Sequence, residues 1–152
     1  MNQHNIFIAS SSELMRERNE LVDLLQDLSR EHKEQGIKFK SVRWEYMDSS
    51  MRAERKEDEY LVRLRECEVC IVLFWNILGQ YTVEELDVAV AEMQAGRMPK
   101  NIYVLFKEPM ANKQAEMVDF KEHFAERYPS IPIDRFVTNN ELRDKISQLI
   151  CV

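Results

Sequence analysis

Cys67-x-x-Cys70 is the first grouping in the sequence whose spacing could do chemistry, because such a pair can exchange a disulfide or supply half of a zinc site. Both uses need partners that the sequence does not place nearby. A redox pair leaves a strand at a helix start, whereas this one enters the apolar run Val69-Cys70-Ile71-Val72-Leu73-Phe74, and no second Cys or His pair follows it. The pair therefore reads as part of a core strand. His4, His32 and His123 have no metal-like spacing, and two of them fall in charged helical segments, so surface roles and no metal site are expected. Gly36, Gly79 and Gly96 are the only glycines, too few for a dinucleotide fingerprint or a phosphate loop.

Hydroxyl and carboxylate residues at expected helix starts form a second grouping. Ser10-x-x-Glu13, Thr82-x-x-Glu85 and Thr138-x-x-Glu141 each match a capping box, in which the glutamate reaches back to the amide at the helix start. Glu85 thus has a purely structural reading. Ser10 and Ser11 also suit a polar ligand, since hydroxyls and free amides meet at a helix start. Trp44 and Trp75, at expected strand ends, either stack on a planar ligand or pack beneath the loops, and Arg43 and Lys107 at the same rim could neutralise an anion.

The elements that must position these residues alternate. Asn5 to Ala9 is a short apolar run stopped by Ser10-Ser11-Ser12, as expected of a strand covered on both faces. From Ser12 to Gln35, Leu14, Leu21, Leu25 and Leu28 recur at helical spacing, with Arg16, Glu17, Asn19, Glu20 and Asp23 on other faces and Gly36 as the stop. Ile37 to Glu45 reads as a strand near a sheet edge, since Ile37, Phe39 and Ser41 alternate with Lys38 and Lys40. A loop from Tyr46 to Arg55 and a charged helix from Lys56 to Cys67 lead to the strand Val69 to Phe74. A loop from Trp75 to Tyr81, a helix from Val83 to Ala95, a strand from Ile102 to Phe106, a helix from Lys113 to Tyr128, a strand from Ile133 to Val137 and a helix from Glu141 to Ile150 complete the order. Strand and helix in repeated succession predict a doubly wound α/β domain, a five-stranded parallel sheet of order 2-1-3-4-5 with helices on both faces. Ligands of such sheets bind outside the strands' carboxyl ends. Here those are the Ser10 to Ser12 turn and the loops Tyr46 to Met51, Trp75 to Tyr81 and Lys107 to Asn112.

A chain of 152 residues with 45% hydrophobic composition suits one domain. The 27 acidic against 21 basic residues, a net charge of -6, repel phosphate backbones and argue against nucleic acid. No apolar run reaches the roughly 20 residues of a membrane span, the N-terminus lacks signal-peptide order, and three cysteines without framework spacing suit reduced thiols, so a cytoplasmic protein without membrane contact is expected.

Two stretches carry a family resemblance. Ile6 to Ser11 is similar to the hydrophobic run ending in Ser-Tyr-Ser that opens TIR domains, without the Tyr. Val72 to Leu86 resembles the TIR stretch of apolar strand, short Asn-aromatic loop, Trp, three residues and Glu-Leu, with Tyr81 standing where Trp is usual and Glu85 where the family's glutamate stands. The loop is one residue shorter than is typical, and the second-strand loop lacks the usual proline. Ser10-Ser11, Glu17 to Leu21, Arg43 to Glu45 and Leu73 to Trp75 look closest to a bacterial TIR-like domain of unknown function found at the N-terminus of larger defence or signalling proteins.

The resemblance implies NAD+ as substrate, with no further cofactor, and cleavage of its nicotinamide–ribose bond. Glu85 would then be catalytic, stabilising the ribosyl cation, and Ser10, Ser11, Trp44, Asp48, Trp75 and Tyr81 would lie near the nucleotide. The alternative it implies is a non-catalytic module that self-associates through loops and helix faces. A nucleoside deoxyribosyltransferase-like enzyme, which also sets a glutamate against a ribosyl centre, is the remaining alternative.

Overall fold

The apolar runs of this chain are continuous because their alternate residues feed two separate cores. In the computed structural model, which describes residues 2–43 and 62–150, Phe7 and Ala9 of the first strand face one cluster with Cys70, Val72, Phe74, Ile102, Val104 and Phe106. Ile6 and Ile8 face the other, with Ile71, Leu73 and Leu105. Period two thus sends successive side chains to opposite faces, and burial of both faces removes the polar alternation seen in one-sided sheets.

The strands are β1 (Asn2–Ser10), β2 (Ile37–Arg43), β3 (Val69–Phe74), β4 (Asn101–Lys107) and β5 (Ile133–Phe136). They form one all-parallel sheet of order β2-β1-β3-β4-β5. The expected doubly wound architecture, that of a flavodoxin-like fold, is therefore the observed one. Helices α1 (Met15–Glu31) and α5 (Asn139–Ile150) cover one face, contributing Leu21, Leu24, Leu25, Leu28, Leu142 and Ile146. Helices α2 (Gln80–Gln94), α3 (Ala115–Glu122) and α4 (Phe124–Arg127) cover the other through Leu86, Ala89, Val90, Met117, Phe120 and Phe124. Phe74, Phe106, Phe120, Phe124 and Tyr128 form a connected aromatic stack beneath α3 and α4. Residues 62–65 are helical, and among the described residues no helix is long and apolar enough to cross a membrane.

Several boundaries differ from the sequence expectation. β1 begins three residues early, because β2 supplies partners down to the Asn2–Ile37 pair and the Asn2 amide donates to the Gly36 carbonyl at 2.8 Å. The expected Ser12–Gln35 helix divides into a 3-10 turn (Ser12–Leu14), α1 and a second 3-10 turn (Lys33–Gln35), closed by Gly36 at φ 72°. The expected Lys113–Tyr128 helix breaks at His123 into α3 and α4. α2 begins at Gln80, three residues before the expected start, and ends in paired turns: Gly96 (φ 80°) donates to Met93 and Arg97 donates to Glu92. The expected helix at Lys56 and the Tyr46–Met51 loop lie wholly or largely outside the described residues.

Candidate functional site

The carboxyl ends of β1, β3 and β4 are fastened together by side chains that their own loops provide. Glu13, in the 3-10 turn after β1, accepts a hydrogen bond from the Ile77 amide at 2.7 Å and another from the Ser11 hydroxyl at 3.3 Å. Gln114, before α3, accepts from the Leu78 amide at 3.2 Å, and buried Asn76 accepts from the Asn112 amide at 3.3 Å. Gly79 lies against Ser11 and Thr82, where an added Cβ would come within 3.2 Å of Thr82 Oγ1 and 3.5 Å of Ser11 Cβ. Close approach at this point, rather than an unusual φ, favours glycine. The loop from Trp75 to Gly79 is thereby held from both sides.

The early start of α2 overturns one structural reading of Glu85. The N-cap is Gly79, without a side-chain cap, so Thr82 is the third helical residue and Glu85 the sixth. The Thr82–Glu85 capping box is not formed. Nor is Ser10–Glu13, because Glu13 is spent on Ile77 and the Ser10 hydroxyl donates to the Ser11 carbonyl. At the third, the threonine half forms: Thr138 Oγ1 accepts from the Glu141 amide at 3.1 Å, while the Glu141 carboxylate accepts from the amide of Val137, one residue before the cap, at 2.6 Å. Glu85 instead lies 5% exposed on the helix that covers β1 and β3. Its negative charge adds to the burial that pushes the Cys70 thiol well above its ordinary value.

Trp75 has its indole N–H donated to the Pro109 carbonyl at 2.8 Å and Lys107 Nζ 4.1 Å from its ring centroid. It joins the β3 and β4 loops, which supports packing over stacking on a ligand. Lys107 does not stand free for an anion either, since its ammonium lies 2.7 Å from Glu17 Oε1. Glu17 and Arg18 are each 4% exposed. The Glu17 Oε2 atom is buried without a hydrogen-bond partner among the described residues, and Arg18 donates to the Ser10 carbonyl at 3.3 Å. From the sequence Glu17 is expected on a polar face of the helix. Stepping four and three residues back from Leu21 lands on Glu17 and Arg18, so the buried stripe of α1 carries a signal that their charge concealed.

Of the other sequence candidates, Ser10 and Ser11 are half-buried at the β1 turn and Tyr81 is 43% exposed in the first turn of α2. Trp44 and Asp48 lie outside the described residues. Cys67 and Cys70 are buried free thiols, with Cys67 pushed up to about 12 chiefly by burial, which suits core packing and not redox exchange. Among the described residues no group of three or more His, Cys, Asp or Glu is placed to hold a metal ion. His4 and His32 are not simple surface residues as expected: both rings contact Phe39. No protein-family model matches the chain. No curated protein matches it either.

Proposed function

We propose that this flavodoxin-like domain is a TIR-like module that cleaves NAD+ between nicotinamide and ribose, with Glu85 stabilising the ribosyl cation. The observation that carries this reading is the position of Glu85: a buried carboxylate on the helix after the β3 loop, with no part in the helix-start box that would otherwise explain it. In the reaction, the electron pair of the C–N bond leaves with nicotinamide, which departs neutral, and the ribose carbon becomes electron-deficient. Water adds there and loses a proton, giving ADP-ribose. A fixed carboxylate in a water-poor site offsets that developing charge far more strongly than it could in bulk water. Because only 5% of Glu85 is exposed, turnover requires a state in which it is uncovered.

Self-association is the second reading, favoured by Met15, Ile77 and Tyr81, which stand 54%, 43% and 43% exposed on the segments following β1 and β3. Nicotinamide release from NAD+, followed at rising protein concentration, separates the two. Release that climbs more steeply than linearly supports an assembled enzyme. Specific activity that stays flat across the dilution series rejects assembly-dependent activation, and concentration-dependent association with no release at any concentration selects the interaction module.

A further inference from the structure

A cleft of about 360 Å³ opens at the opposite end of the sheet, among the amino ends of β1 to β4 and the last turn of α5. Its polar groups are His4, His32, Glu68, Asn101 and Tyr103, and Phe39 forms part of its wall. Their hydrogen bonds decide what the cleft can recognise. His4 Nδ1 lies 2.9 Å from Glu68 Oε2, and His32 Nδ1 lies 2.9 Å from the Leu28 carbonyl oxygen. A carboxylate and a carbonyl only accept, so each Nδ1 carries the hydrogen, and whenever a ring is neutral its Nε2 is an acceptor. His4 stacks beside Phe39 at 5.7 Å and 29°, while His32 meets the same ring edge-on at 6.0 Å and 88°.

The cleft therefore combines two imidazole acceptors, one carboxylate and aromatic faces whose π-electrons favour positive charge. Among the described residues no lysine or arginine lines it, which disfavours an anion. Among the described residues no three-ligand group exists for a metal. From this we infer that the amino-end cleft is a binding site for a small organic cation, an ammonium or amidinium on an apolar body. The charged group would donate to Glu68 and an imidazole Nε2, and the body would lie against Phe39 and the end of α5. The volume falls within the range that holds a ring of that size.

Titration calorimetry and ligand-observed NMR on the full chain, in mildly alkaline buffer, test this with four probes of similar bulk. Benzamidine and phenethylamine carry the charge, benzyl alcohol is neutral, and phenylacetate is an anion. The cations should bind at least about tenfold more tightly than the alcohol, a difference of about 1.4 kcal/mol, and phenylacetate should not bind. Glu68→Gln should remove about the same factor for the cations while leaving alcohol binding and the circular dichroism spectrum unchanged. Equal affinity for cation and alcohol, measurable phenylacetate binding, full cation affinity in Glu68→Gln, or no binding of any probe at millimolar concentration would each overturn the inference. If Glu68→Gln does not fold, the wild-type ranking of the four probes decides alone.

Discussion

Lys107 and Glu17, ninety residues apart, meet at 2.7 Å at the carboxyl end of the sheet. The Glu17 side chain is 5% exposed and the Lys107 side chain 20%, so both are largely removed from solvent. Removing one partner of such a pair leaves an uncompensated buried charge, whereas replacing both removes the penalty along with the attraction. Lys107→Met should therefore cost about 3–5 kcal/mol of stability. Glu17→Gln combined with Lys107→Met should cost clearly less than the two single changes added together. Urea denaturation of the four proteins of this double-mutant cycle is the measurement, and additivity to within about 0.5 kcal/mol would show that the pair is not coupled.

The two Thr-x-x-Glu sequences at 82 and 138 should separate in stability. Thr138 caps α5 through its hydroxyl, and Thr138→Val should cost about 1 kcal/mol because the Glu141 amide loses its acceptor. Thr82 lies inside α2, so Thr82→Val, which keeps the shape and removes the hydroxyl, should stay within about half of that. Thermal unfolding of both variants provides the comparison. A larger loss at 82 than at 138 would restore the capping role that the early start of α2 argues against.

Three carboxylates among the described residues lose a stabilising partner interaction when they are protonated. Hydrogen bonding from Arg97, aided by Arg65, holds Glu92 below its ordinary value; Lys121 does the same for Glu108, and Lys145 for Asp134. A lowered carboxylate contributes stability that is fully present above its ordinary value, 4.5 for Glu and 3.8 for Asp, and is lost as pH falls through the lower folded value. The melting temperature should accordingly decline below about pH 4.5 more steeply in the wild type than in Glu92→Gln. Parallel profiles would mean that Glu92 carries no part of the acid sensitivity.

The parallel architecture was legible because two-sided burial leaves continuous runs such as Val69 to Phe74, and because Lys38 and Lys40 mark β2 as an edge strand. Gly36 and Gly96 were legible as stops, both with positive φ. Less was legible at the carboxyl end. Glu17 and Lys107 look like surface charges until the fold brings them together, since a pairing across ninety residues has no local period. The α2 start was missed because the Thr82–Glu85 spacing imitates a cap, while the observed N-cap, Gly79, leaves no side-chain signature. The shared contact of His4 and His32 has no sequence signal, because Phe39 on β2 meets one from β1 and the other from the end of α1.

Glu85 and its neighbour Glu84 provide the test of catalysis. Both are acidic residues early in α2, beside the same helix dipole, so a general electrostatic effect of losing one carboxylate should be similar for the two. Their directions differ by about 100° around the helix. With the capping box absent, Glu85→Gln has no cap to weaken, and a loss of turnover cannot be assigned to a frayed helix start. If the carboxylate stabilises the ribosyl cation, Glu85→Gln should lower nicotinamide release by on the order of a hundredfold or more while the melting temperature stays near that of the wild type. Glu84→Gln should keep most of the activity. The KM for NAD+ should change little in Glu85→Gln, because an interaction made only in the transition state appears in kcat and not in ground-state binding. Equal losses in the two variants, or full turnover in Glu85→Gln, would remove Glu85 from the chemistry and favour the self-association reading.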